Sequence, residues 1–372
     1  GVTGEWRRAT WDEALDMVAE TVKEVRARDP KKILWQKGRS KAKDFYDDAF
    51  VKAIGSSKLG HGAFCSDAGY RALEYTIGTH AVLHPDFRHC NYMLSWGWNI
   101  TNAGGNKFCW LTWPRHMVKA RDRGMKITHL DPRLRSAGPF ADTWLPIKPA
   151  TDMAMALALC RELIELDYLD RPYLSTYTNS PMLVKPDGTI AKVTQGEGDD
   201  AVEVGLVWDG ASGAAVPFGE VANPALEGEY ELDGETVKPA FQLFKEHVDQ
   251  YTPEWAAEVT GLSAAQIRTV AREFGENAQI GSTIVVDGVE VPYRPVGIMA
   301  YHMAQQELGF QTARAMTMVP MLVGAVGAAG GQLSDFTWKL HKNYAKFEKL
   351  TVEDPPYDFI LNNSKYFPIN TG

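Results

Sequence analysis

Apolar residues recur at helical intervals from the start of the chain: Leu15, Val18, Val22 and Val25 follow Thr10-Trp-Asp-Glu13, which has the spacing of a capping box. A first amphipathic helix is expected there, with Lys32 to Trp35 following as a short strand. The pattern then alternates. Tyr92 to Trp96 reads as a buried strand, Thr112 to Arg123 as a helix and Lys126 to Leu130 as a second strand, a βαβ rhythm that implies a parallel sheet. Met153, Ala156, Leu157, Cys160 and Ile164 mark a further helix with Thr151 at its N-cap, and Ser263-Ala-Ala-Gln266 caps one carrying Ile267, Val270 and Phe274. Between Tyr177 and Ala240, short strands punctuated by Asp-Gly at 187, 209 and 233 read as a β-hairpin insertion on the surface. After Ala278 the α/β pattern resumes, with Ile280 to Val286 as a strand, Met299 to Val323 as mostly helix, and Gly327 to Gly331 as a tight loop.

With 372 residues the chain exceeds one ordinary core, and about 150 residues per domain suggests about two domains. Its 45% hydrophobic and 23% charged residues are those of a soluble globular protein. A net charge of −8 argues against a nucleic-acid surface, which needs a cationic footprint. The cysteines at 65, 90, 109 and 160 form no C-x-x-C pair, so neither a zinc knot nor an iron–sulfur ligand set is read from them. Neither a signal peptide nor a membrane span is visible, because the longest apolar stretches, such as Met316 to Ala329, are short and rich in Gly. The opening residues read as the middle of something, so a processed or partial chain is expected.

Three segments could carry chemistry. Ser95-Trp-Gly-Trp-Asn-Ile-Thr-Asn102 follows an apolar strand and is either a phosphate-binding turn or an ordinary strand-to-helix turn. The next strand ends in Leu130-Asp-Pro-Arg133, where Asp131 sits where a ribose or purine acceptor belongs; an Asp-Pro turn explains it equally well. Asp152, opening a helix after Leu145-Pro-Ile-Lys-Pro-Ala-Thr, suits the helix dipole and could also recognise the N–H edge of guanine.

Taken in order, Trp96-Gly-Trp-Asn99, Asp131-Pro-Arg133, Ala141-Asp-Thr-Trp-Leu-Pro146, Pro149-Ala-Thr-Asp152, Tyr251-Thr-Pro-Glu254, Thr260-Gly261 and Gly324 through Gly331 resemble the molybdopterin oxidoreductases of the dimethyl sulfoxide reductase family, from about Glu5 to Leu333. The resemblance implies an α/β fold of two pseudo-symmetric nucleotide-binding domains with mainly parallel sheets, one inserted in the other. Residues 1–58 and 334–372 are expected in one, and 59–333 in the inserted dinucleotide-binding domain, with the β-rich insertion at 178–240. The implied cofactor is bis-molybdopterin guanine dinucleotide around Mo or W. Carried over by position, Gly97, Asn99 and Thr101 would line a diphosphate, Asp131 and Asp152 would hold its guanosine, and Arg133 belongs to the same cofactor-binding set. The family commonly has Gly where Ala150 stands. Cys65, in Gly60-His-Gly-Ala-Phe-Cys65, occupies the metal-ligand position, where a thiolate suits a soft site. His61 would relay protons or orient substrate, with packing beside the cofactor as the alternative. Lys37, Arg39 and Arg314 are further candidates for pterin or phosphate, a solvated basic loop being the alternative for the first two. Cys90, Cys109 and Cys160 are expected to be small buried hydrophobes.

Gly-His-Gly-x-x-Cys is similar to the loop of the polysulfide, thiosulfate and tetrathionate reductase branch and its relatives, including sulfite dehydrogenases, which implies two-electron oxo or sulfur transfer on a sulfur compound. Arsenate reductase and phenylacetyl-coenzyme A oxidoreductase are the alternatives within the family, and a non-catalytic structural subunit of a respiratory complex is the alternative outside it. A four-iron cluster is expected in the complete enzyme, with its ligands outside this chain. Implied partners are the remainder of the catalytic subunit, an iron–sulfur subunit for electron transfer, and a membrane anchor subunit. Location is left open by the residues; attachment at the inner membrane, on the periplasmic side, is the expectation.

Overall fold

Thr10 begins the first helix, α1 (Trp11–Arg28), and its hydroxyl accepts from the Glu13 amide at 3.2 Å. The Glu13 carboxylate pairs with Arg7. The computed structural model describes residues 4, 6–36, 44–59, 67–78, 83–101, 108–135, 137–300 and 303–334. They belong to two compact units, Gly1–Asp67 with Trp338–Gly372, and Ala68–Thr337. In the first, α1 is followed by β1 (Leu34–Gln36), α2 (Asp44–Ile54) and β2 (Ser57–Leu59), and the two strands pair in parallel with Leu34 opposite Ser57. None of the residues of α1 is buried, and Leu15 and Val18 of its apolar stripe remain more than half exposed.

The second unit opens with α3 (Asp67–Ile77) and β3 (Leu83–Pro85), then β4 (Tyr92–Trp96), α4 (Phe108–Asp122), β5 (Lys126–Leu130), β6 (Thr143–Leu145), α5 (Asp152–Glu165) and α6 (Arg171–Tyr177). An excursion of short strands follows: β7 (Leu183–Val184), β8 (Lys192–Gln195), β9 (Val202–Asp209), β10 (Ala214–Pro217), β11 (Tyr230–Leu232) and β12 (Glu235–Pro239). These form two three-stranded sheets, β10-β9-β8 and β11-β12-β7, as the Asp-Gly punctuation predicts. At Asp233-Gly234 both residues have positive φ, 53° and 82°, the requirement of a tight two-residue hairpin turn. The chain returns through α7 (Ala240–Val248), α8 (Pro253–Thr260), α9 (Ala264–Asn277), β13 (Thr283–Val286), β14 (Val289–Pro292), β15 (Val296–Ala300), α10 (Gly309–Leu322) and β16 (Gln332–Ser334). The capping box at Ser263 and Gln266 forms in both directions.

Among the described residues the central sheet has the order β16-β3-β15-β4-β5-β6, and β15, β4, β5 and β6 run parallel. Both faces are covered, which is why β4 and β15 are buried along their whole length and show no polar alternation. Tyr92, Leu94, Trp96, Leu130, Val296 and Ile298 face a core shared with α5, α8, α9 and α10. Met93, Ile127 and Met299 face a second core with Trp113, Met117 and Ala120 of α4.

Three expectations are corrected. The strand placed at Ile280 to Val286 is shorter, and it pairs only with β14 as a separate hairpin; the strand that enters the central sheet is β15. The span read as mostly helix from Met299 to Val323 begins with the last residues of β15, and its helix is confined to Gly309–Leu322. Helix α4 also starts earlier than its periodicity indicates, at Phe108, with Pro114 in its interior.

Candidate functional site

The strand order sets where a ligand can enter. From β4 the chain moves to β5 and β6 on one side, whereas β15 lies on the other, so the connections diverge at the carboxyl end of β4 and leave a crevice there. A cleft of about 330 Å³ occupies this end of the sheet. It is lined by Gly97 after β4, Leu130 at the end of β5 with Asp131 and Arg135 following it, Lys148 to Asp152 in sequence leading into α5 (with Thr151 outside the lining), and Met303, Gln305 and Gln306 after β15.

Asp131 and Asp152 therefore meet at one cleft although 21 positions separate them in sequence. Each is almost completely buried, at 1% and 3% exposure. Asp131 Oδ1 accepts from the Arg133 amide at 2.8 Å, the Asx turn expected of Asp-Pro, and Arg135 Nε lies 3.7 Å from Oδ2. The Asp131 carbonyl takes the indole N–H of Trp144 at 2.8 Å. Asp152 is the first residue of α5, and its Oδ1 accepts from Trp96 Nε1 at 2.8 Å. Burial pushes the Asp152 carboxyl above the usual carboxylate range; hydrogen bonds from Trp96, its own amide and Gln306 oppose this, while Asp131 adds to it. The turn and helix-start explanations offered for these carboxylates are thus realised, and both side chains still line the cleft.

The segment before α5 has a defined geometry. The Thr151 amide and hydroxyl both donate to the Lys148 carbonyl, at 3.4 and 2.7 Å, closing a turn over Pro149 and Ala150. Ala150 has φ +64°, the left-handed conformation that a type II turn demands of its third residue and that Gly adopts freely. Thr151 occupies the N-cap position of α5, but its side chain makes no cap hydrogen bond because it is committed to this turn. Gly97 has φ +61°, and a Cβ there would collide with Met303 Sδ, so its crowded neighbour is a protein side chain.

Of the sequence candidates, Gly97, Asp131 and Asp152 come together, whereas Asn99, Thr101 and Arg133 are not among the residues lining the cleft. Thr101 Oγ1 donates to Asn99 Oδ1 at 3.4 Å, and Arg133 is exposed and reaches Asp131 through its amide. Arg314 lies over the Phe310 ring on α10, away from the cleft lining. Cys65, His61, Lys37 and Arg39 lie outside the described residues. Cys90 and Cys160 are buried thiols whose acidity is suppressed by desolvation, Cys90 to a pKa of about 12, in keeping with a packing role. Sequence reasoning missed Trp96 as a partner of Asp152, and missed Arg135, Lys148 and Gln306. The cations were visible four positions from each of the two acidic residues, but Gln306 reaches the cleft only through β15, the strand that the pattern concealed.

In chemical terms the cleft offers buried carboxylates to N–H donors of a planar ring and cations, Arg135 and Lys148, to an anionic group beside it. Among the described residues no three His, Cys, Asp or Glu side chains gather as a metal site. The chain is 32% identical over 353 residues to a sulfite dehydrogenase subunit from Allochromatium vinosum, covering 87% of this chain and 35% of that protein. It is 30% identical over 290 residues to a putative dimethyl sulfoxide reductase catalytic subunit from Halobacterium salinarum, covering 73% of this chain and 33% of that protein. It thus spans about a third of the length of the curated relatives it matches. The fold is similar to part of acetylene hydratase from Pelobacter acetylenicus, with a TM-score of 0.54, 20% identity, and coverage of 88% of this chain and 34% of that one. Residues 2–370 match the molybdopterin oxidoreductase family model, and the chain belongs to that family.

Proposed function

We propose that the cleft receives the guanosine end of a molybdopterin guanine dinucleotide, and that the chain is part of the catalytic polypeptide of a molybdenum or tungsten oxidoreductase acting on a sulfur compound. Membership of the family implies a molybdopterin cofactor. One observation carries the finer reading: Asp131 and Asp152, both buried, line one cleft at the carboxyl ends of parallel strands where the connections diverge. The residues present fit such a group. Guanine offers an N–H edge to a carboxylate, and Arg135 and Lys148 match a diphosphate.

When bound, the cofactor supplies the two-electron redox chemistry. This chain's contribution is placement. Asp152 and Asp131 hold the base, the turn at Lys148–Thr151 shapes the rim, and Arg135 and Lys148 balance the anionic linker. Cys65 is proposed as the protein ligand to the metal and His61 as a proton relay beside it. The sulfur-compound assignment is supported by the sulfite dehydrogenase and dimethyl sulfoxide reductase relatives, both described as subunits, which also favours an electron-transfer partner. Metal analysis together with acid hydrolysis of the purified full-length polypeptide tests the proposal. About one Mo or W per polypeptide and guanine nucleotide in the hydrolysate are expected. Protein carrying neither metal nor guanine, yet fully folded, would be a structural relative and would overturn it.

A further inference from the structure

Trp96 is the last residue of β4 and is completely buried, on the sheet face where Tyr92 and Leu94 pack against α5. Its ring is therefore held by the core, independently of any ligand. The first residue of α5 comes to it: Trp96 Nε1 donates to Asp152 Oδ1 at 2.8 Å, a contact across 56 positions of sequence with both side chains desolvated. A carboxylate at a cleft wall would otherwise turn about its last torsion, and this bond commits one oxygen and fixes the plane of the group. A charged hydrogen bond in a dry setting is among the stronger polar contacts a protein makes.

We propose that Trp96 is the positioning residue of the cleft, its indole N–H fixing the Asp152 carboxylate so that the remaining acceptor positions meet the N–H edge of a purine. This deepens, and rests on, the reading of the cleft as the guanine site. The same bond has a second consequence. Burial and the neighbouring Asp131 both favour the protonated form of Asp152, and the N–H groups of Trp96, Gln306 and the helix start are what oppose them; Arg135 and Lys148 line the same cleft. Protonated, Asp152 would present a hydrogen toward ring N–H groups and lose its acceptor character.

The test uses the loaded full-length polypeptide and measures how fast guanine nucleotide leaves on dilution into cofactor-free buffer, at neutral and mildly acidic pH. Trp96→Phe keeps an aromatic ring and removes the donor. Loss of one charged hydrogen bond should speed release about tenfold at neutral pH. The acceleration should grow as pH falls, because without the indole N–H Asp152 takes up its proton at higher pH. Should Trp96→Phe fail to fold, benzothienylalanine at position 96 keeps the bicyclic shape and lacks the N–H, with the same expectation. Release at the wild-type rate at every pH, or an acceleration that does not depend on pH, overturns the positioning role. Asp152→Asn separates the positioning role from the guanine reading beneath it: it should release guanine rapidly with no pH dependence in this range. If Asp152→Asn instead retains guanine as the wild type does, the guanine reading of the cleft itself is wrong.

Discussion

Ala150→Gly is expected to stabilise the unit Ala68–Thr337 at no cost to packing. Ala150 has φ +64°, closes a Pro149-Ala150 turn and is exposed, so its methyl group buries little. An L-residue with a Cβ in the left-handed region is disfavoured by about 1–2 kcal/mol, since Cβ crowds the following carbonyl. Gly removes that cost but brings about 0.5–1 kcal/mol of extra chain entropy in the unfolded state. The difference leaves a gain of about 0.5–1 kcal/mol, equivalent to a rise of about 1–4 °C in the melting transition of a unit this size. Thermal unfolding followed by circular dichroism measures it, with Ala150→Val as the opposite control, because a β-branched side chain is poorly tolerated at positive φ. A lowered transition for Ala150→Gly, or an unchanged one for Ala150→Val, would refute the turn geometry.

Asp170 and Arg294 form a buried pair, with Nε and Nη2 both 2.7 Å from Oδ2, while Asp170 Oδ1 caps α6 through the Tyr173 amide. Asp170→Ala strands the guanidinium and should cost about 3–5 kcal/mol in denaturant titration; a loss under about 1 kcal/mol contradicts the pairing. Asp152→Asn should stabilise the ligand-free protein near neutral pH. The folded pKa is raised, so the folded state keeps a proton that the unfolded chain has released, and wild-type stability falls as pH rises through that window; parallel wild-type and variant stability profiles would refute this. Cys65→Ser should remove one sulfur scatterer from the X-ray absorption spectrum at the metal edge of the loaded enzyme while leaving the fold intact, and an unchanged spectrum with retained activity takes Cys65 out of the metal's coordination.

Much of the architecture is legible where residue chemistry is local. Tyr92–Trp96 reads directly as a strand because it is a short, mainly apolar run, Lys126–Leu130 because it follows the intervening helix in a βαβ rhythm, and Ser263 with Gln266 announces its own cap. Strand β15 is concealed because Val296–Ala300 shows no alternation and its last residues, Met299 and Ala300, fall in phase with the helical pattern that continues into α10. The hairpin of β13 and β14 did carry a signal, Asp287-Gly288 with φ 48° and 83° between valine-rich arms. At the site, Asp131 and Asp152 stand out because each ends or begins an element. The Trp96–Asp152 bond does not, since it follows from the packing of α5 on β4 and no local pattern encodes it.

The occupant of the cleft between β4, β5 and β15 decides the function, and a crystal structure of the full-length polypeptide purified with its cofactor addresses that directly. The guanine ring is expected in the cleft, its N–H edge within hydrogen-bonding distance of Asp152, with Asp131 beside it and its diphosphate toward Arg135 and Lys148. A loaded enzyme whose guanine lies elsewhere, with Asp152 turned to water or to another segment of the protein, would contradict it.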